Sequence, residues 1–107
     1  MELKERKCVP SDSLSGPLNN NDSENLLKQL VTSWQIIDNK KLTKGFPFGN
    51  FKRAMAFAQE IALLAEKNMH HPVLHIEYDM VTVELSTHDV GGLSENDFIM
   101  AAKIEDL

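Results

Sequence analysis

One cysteine, one tryptophan, one tyrosine and no long apolar run: the 107 residues lack most signs of a covalent, redox or membrane-bound chemistry. Cys8 alone permits no intrachain disulfide and no thiolate metal cage. It lies beside Lys7 in an irregular leader and is read as a bystander. No stretch approaches the roughly 20 apolar residues of a membrane span. Basic residues are scarce as well: 11 Lys and Arg stand against 16 Asp and Glu, a net charge of −5. That balance argues against a nucleic-acid surface, which needs clustered cations. The start, Met1 to Pro10, is charged rather than apolar, so it is not read as a secretory signal, and a cytoplasmic location is expected. Absent too are a nucleophile elbow, a glycine-rich phosphate loop and a redox cysteine pair.

What is present is the composition of one ordinary globular domain, 42% apolar and 25% charged. Residues 1–21, with Pro10, Gly16, Pro17, several serines and Asn19-Asn20-Asn21, read as an irregular leader. Residues 22–107 read as a single domain. Asp22 or Asn21 is expected to cap a first helix with Leu26, Leu27, Leu30 and Val31 on one stripe. Trp34 to Ile37 reads as a strand, Asn39-Lys40 as a turn and Lys41 to Phe48 as the returning strand. Gly49-Asn50 is a stop followed by a cap. From Phe51 to about Asn68, Phe51, Ala54, Met55, Ala58, Ile61, Ala62 and Ala65 recur at helical spacing. Val73 to Tyr78 and Val81 to Thr87 form a second hairpin around Asp79-Met80, with Val81, Val83 and Leu85 alternating. Gly91-Gly92 turns the chain, and Ser94 with Asp97 fits a capping box for a last helix ending near Ile104. The order α-β-β-α-β-β-α predicts an α+β fold: a four-stranded antiparallel sheet with three helices packed on one face.

The residues most suggestive of chemistry are histidines. His70-His71-Pro72 falls on the joint between the long helix and the next strand, and the residue before a proline is held extended. His88, in Leu85-Ser86-Thr87-His88-Asp89, falls just past a strand end, where the hairpin can bring it to the same cleft. Imidazoles gathered there suit general acid–base catalysis near neutral pH. Asp97 and Glu66 are acids that could orient an imidazole or favour its charged form. Each also has a plain structural explanation, Asp97 as the cap partner of Ser94 and Glu66 as a solvated residue of a last helical turn. Metal binding is disfavoured. Adjacent histidines in extended chain point to opposite sides, and Pro72 prevents His71 and His75 from forming a helical i, i+4 ligand pair.

The string Glu66-x3-His70-His71-Pro72-x5-Tyr78-x9-His88-x8-Asp97 resembles the signature of the pterin-4a-carbinolamine dehydratase (4a-hydroxytetrahydrobiopterin dehydratase) family. Trp34, Phe46-x-Phe48-x-x-Phe51, Ala65-Glu66-Lys67 and Gly91-Gly92-Leu93-Ser94-Glu95-x-Asp97 are similar to the family pattern too, as is Lys7-Cys8-Val9-Pro10 to bacterial leaders. The resemblance covers the chain from about Asp22 to its end. It implies a sheet with three helices on one side, assembled as a homodimer or homotetramer. It implies removal of water from the 4a-carbinolamine that aromatic amino acid hydroxylases release, giving quinonoid dihydropterin without metal or organic cofactor. By resemblance His70, His71 and His88 line the pterin site, His70 and His88 sharing the acid and base roles while His71 holds the ring. Ser86, Thr87 and Asp89 are carried over as pterin contacts, with Glu66 and Asp97 behind the histidines. Two departures stand out: Met69 replaces an acid of many animal members, and Val73-Leu74 replaces an aromatic position.

Two other readings follow from the same resemblance. Animal members also serve as dimerisation cofactors of a homeodomain transcription factor, and an acidic chain fits a protein partner better than DNA. A related pterin-handling step, such as one linked to molybdopterin, is the third.

Overall fold

The computed structural model describes residues 2–107; Met1 lies outside the described residues. Helix α1 spans Asn20–Leu27, strands β1 and β2 span Gln35–Ile37 and Lys41–Pro47, and helix α2 spans Phe51–Asn68. Strands β3 and β4 span Val73–Glu77 and Met80–Leu85, and helix α3 spans Glu95–Glu105. All strand pairs are antiparallel, in the order β1-β2-β4-β3. This is the expected α+β fold, a four-stranded sheet with three helices.

The alternation read from β4 sets the layers. Val81, Val83 and Leu85 are fully buried, opposite Phe46, Lys44 and Leu42 of β2. Their neighbours Thr82 and Glu84 point to the outer face, which also carries His75 through its pairing with Thr82. Against the inner face α2 lays Ile61 together with Ala54, Ala58 and Ala65, and the three small alanine side chains let the helix approach closely. The apolar stripe is narrower than its periodicity suggested, since Phe51 is half exposed and Ala62 faces solvent. Phe46, Phe48 and Phe57 fill the space between helix and sheet, with ring centroids 4.9 and 5.0 Å apart in the two contacts Phe57 makes.

Helix α3 has apolar residues nearly all round, from Phe98 through Ala102 and at Ile104, and every one is buried. Such a helix needs cover on both sides. The sheet and α2 supply one cover. The leader supplies the other, with Leu3 buried beneath its short 3-10 turn at Leu3–Glu5. Val9 N–H donates to Asn96 Oδ1 (3.0 Å) and Asn96 Nδ2 donates back to Val9 O (2.8 Å). Arg6 pairs with Glu95, and Lys103 Nζ donates to Lys4 O (2.9 Å). Residues expected to be loose chain are therefore strapped along α3, a contact invisible in a composition rich in turn-formers.

Local boundaries differ from the expectation for identifiable reasons. Asn19, one turn before Asp22, caps α1, its side chain accepting the Asp22 N–H at 2.8 Å. Helix α1 stops before Val31, which is 90% exposed rather than on the core stripe. Trp34 precedes β1 instead of opening it; its ring is buried and its Nε1 donates to Glu105 (3.1 Å). The first turn centres on Asp38 and Asn39, both at φ 53°, the left-handed pair that a tight hairpin demands. Strand β4 ends at Leu85, so Ser86 and Thr87 lie beyond it, and Tyr78 and Asp79 form the second turn.

Candidate active site

Where α2 stops decides where the first two histidines go. Met69 adopts a left-handed conformation (φ 52°, ψ 39°), and its N–H returns to Ala65 O and Glu66 O. The His70 N–H bonds Ala65 O at 3.2 Å, closing the helix end as a Schellman-type cap. Pro72 then holds His71 extended. Successive side chains diverge: His70 turns inward and is buried, whereas His71 is half exposed.

His70 Nε2 meets Asp97 Oδ1 at 2.6 Å, with Asp97 fully buried. The other carboxylate oxygen is held as firmly, accepting the Ser94 N–H at 3.0 Å and the Thr87 hydroxyl at 2.8 Å. Thr87 Oγ1 also lies 2.7 Å from Ser94 Oγ. Asp97 is thus both the capping-box residue of α3 and the partner of His70. The two explanations offered by the sequence hold together, because a carboxylate has two oxygens and each serves one of them. Glu66 pairs with His71, Oε2 to Nε2 at 2.5 Å, across five residues of chain.

His88 reaches the same place from the other side. The Thr87 N–H bonds Gly92 O (2.9 Å) and the Gly92 N–H returns to Thr87 O (3.4 Å), pinching off a loop. Within it, His88–Val90 forms a 3-10 turn that Gly91 closes at φ 71°, a conformation that favours glycine. His88 is exposed, and alone of the four histidines it has no carboxylate partner among the described residues. Its ring is therefore unengaged.

His70, His71 and His88 line one open cleft of about 220 Å³. Ser86, Thr87 and Asp89 share its wall, so all six residues singled out as catalytic or ligand-contacting come together there. Thr87 lines it with hydroxyl and N–H already engaged, and Asp89 accepts a hydrogen bond from Ser11. Ser86 and His88 continue into a second hollow of about 350 Å³ beside Lys40, Lys41 and Val73. Two lining residues went unnoticed as ligand contacts. Met69 stood next to the histidine pair and was noted only as a departure. Ser11 carries no local signal, because 78 positions separate it from Asp89.

The fourth histidine belongs elsewhere. His75 pairs with Glu84 across the outer face of the sheet (2.8 Å), and Lys41 Nζ lies 3.4 Å from the same carboxylate. Partial burial pushes Glu84 up, but hydrogen bonds from His75 and Lys41 outweigh it and hold the carboxyl below its ordinary value. Burial pushes the Cys8 thiol up to about 11, with the Lys103 ammonium opposing and Asp97 adding to the rise. Such a thiol is a poor nucleophile. A cavity of about 480 Å³ by Leu3 and Glu105 has its carboxylate fully occupied, by Val31 N–H (2.7 Å), Thr32 N–H and hydroxyl, and Trp34.

A small α+β domain with a histidine-lined cleft backed by buried Asp97 is the class that fold and site define. The model of the pterin 4 alpha carbinolamine dehydratase family matches residues 16–107. A candidate pterin-4-alpha-carbinolamine dehydratase from Nitrosomonas europaea is 45% identical over 97% of this chain and 91% of its own length. One from Rickettsia canadensis is 44% identical over 96% and 94%. A crystal structure described as a transcriptional coactivator/pterin dehydratase from Brucella melitensis superposes with a TM-score of 0.79. It is 35% identical, with 85% of this chain and 97% of that one covered. A pterin dehydratase-like RuBisCO assembly factor of the alpha-carboxysome, 24% identical with a TM-score of 0.60 over 71% and 89% of the two chains, shares the fold. The chain belongs to the pterin 4 alpha carbinolamine dehydratase family.

Proposed function

We propose that this protein removes water from a 4a-hydroxytetrahydropterin to give the quinonoid dihydropterin, with histidines as acid and base. The observation that carries the reading is one cleft holding three imidazoles, one locked by a buried carboxylate and one unengaged, in a chain of this family. In the reaction the C4a–O bond breaks with its electron pair going to oxygen. An acid protonates that oxygen, which leaves as water. A base takes the N5 proton, and the N5 electron pair closes the C4a–N5 double bond.

His70 and His88 share these two proton transfers. Asp97 engages His70 Nε2, so Nδ1 is the His70 atom left for the substrate, and the ring cannot swing. His71, steadied by Glu66, packs on the pterin ring, and Ser86 and Asp89 contact its edge. The step exchanges no electron and so calls for no redox cofactor, and in this reading the imidazoles supply the acid and the base. The reading extends to a cytoplasmic homodimer or homotetramer that recycles the pterin of an aromatic amino acid hydroxylase.

The test is the rate of 4a-carbinolamine dehydration by wild type, His70→Ala and His88→Ala. Each substitution is expected to lower kcat by about 10²–10⁴-fold, the worth of a positioned acid or base. A wild type no faster than the uncatalysed reaction sinks the enzyme reading. A second reading, a protein-binding module, is favoured by one observation: the Brucella relative is described as a coactivator as well as a dehydratase. Retained partner binding by a variant dead in dehydration would separate the two.

A further inference from the structure

Beside the cleft runs a groove of about 640 Å³ between the leader and the end of α2. Lys7, Lys67 and Lys103 line it, three of the 11 cations of an acidic chain. Among the described residues none of the three forms an ion pair. Glu66, the acid next to Lys67 in sequence, is turned to His71 instead. Lys103 is fixed to the wall by its bond to Lys4 O. Glu5 is the one acid of the lining.

The groove and the cleft meet. Met69, 77% exposed, lines both, and Pro10 lines the groove where the next residue, Ser11, lines the cleft. A ring seated against His70 and His71 can therefore send a substituent past Met69, over a floor that includes Leu64, Val9 and Pro10, to ammonium groups that no carboxylate pairs among the described residues.

We infer that this groove binds an anionic substituent of the pterin, a carboxylate or a phosphate, and so sets which pterin the protein prefers. The inference rests on reading the cleft as a pterin site. It assigns Lys7, Lys67 and Lys103 to substrate selection.

The probes are oxidised, unreactive pterins titrated by their fluorescence: 6-methylpterin, pterin-6-carboxylate and 6-hydroxymethylpterin phosphate. At low ionic strength one or both anions bind about tenfold tighter than 6-methylpterin, the sum of two or three exposed ion pairs. Which anion gains names the source. Salt at about 0.5 M removes most of the advantage. The double substitution Lys7→Ala/Lys67→Ala brings the ratio of dissociation constants towards one, and Lys7→Arg/Lys67→Arg restores it. Equal affinity for all three pterins, or a ratio unmoved by the double alanine variant, overturns the inference. Dehydration is measured separately. Discrimination without dehydration removes the enzyme reading and leaves the groove; dehydration without discrimination does the reverse. No binding of any pterin removes both.

Discussion

Of the three imidazole–carboxylate pairs in this small domain, two of nearly equal length behave differently. His70–Asp97 is 2.6 Å long with side chains 9% and 0% exposed; His75–Glu84 is 2.8 Å long with side chains 54% and 26% exposed. Similar distance means similar Coulomb geometry, so the surroundings decide the worth of each pair. Asp97 is shut off from bulk solvent, which therefore does not replace a lost partner, and Thr87 and Ser94 fix the carboxylate from behind. Around Glu84 solvent screens the charge and competes for both groups. Distance alone identifies neither a stabilising nor a functional pair. Burial with both carboxylate oxygens hydrogen-bonded is what makes the first one a device.

The comparison can be broken most directly at Asp97. Asp97→Ala leaves His70, Thr87 and Ser94 without their shared acceptor, and unfolding by denaturant is expected to show a loss of about 3–5 kcal/mol. A loss below about 1 kcal/mol would place the pair with the exposed ones.

Cys8 carries the contrast to a group outside both pairs. With its thiol pushed from 9.0 to about 11, the thiolate fraction at pH 8 falls about 100-fold. Alkylation of Cys8 by iodoacetamide is expected to be slower by about that factor in the native protein than in the denatured one. Equal rates would show that the leader does not shield it.

Asp97→Asn keeps the shape and removes the charge. If Asp97 positions His70, kcat for dehydration falls about 10–100-fold, as for other supporting partners of a functional imidazole. An unchanged kcat beside a lowered stability would leave Asp97 a purely structural residue.

His75→Ala is the mildest change, less than about 1 kcal/mol. Its pH dependence has a definite sign. The folded Glu84 carboxyl titrates below its ordinary 4.5, so its contribution is full above that value and is lost as pH falls through the folded one. The difference in Tm between wild type and His75→Ala should therefore shrink from pH 6 to pH 3; a widening gap would contradict the pairing.

Much of the fold was legible because it rests on local rules. Asn50 as a cap, the period of Ala54, Ala58, Ile61 and Ala65, and the alternation in β4 each appear within one turn or one pleat. The errors fell where tertiary contacts override composition. Val31 continues the apolar stripe in sequence, but its N–H is drawn to Glu105 from 74 positions away. The leader looks like loose chain until α3 is seen to be apolar all round and in need of cover.

By itself, then, the sequence determined the class of fold, the joint on which His70 and His71 ride, and the family signature that names the chemistry. Those follow from periodicity, proline sterics and fixed spacing, all properties of the chain as written. Only the tertiary structure decided which histidines are buried, paired or unengaged. It turned Asp97 to serve a helix cap and an imidazole at once, and it brought Lys7, Lys67 and Lys103 from three distant segments to one groove. The physical reason is common to all three. Dielectric surroundings and the meeting of charges are set by what packs against a residue, and that is not written beside it in the chain.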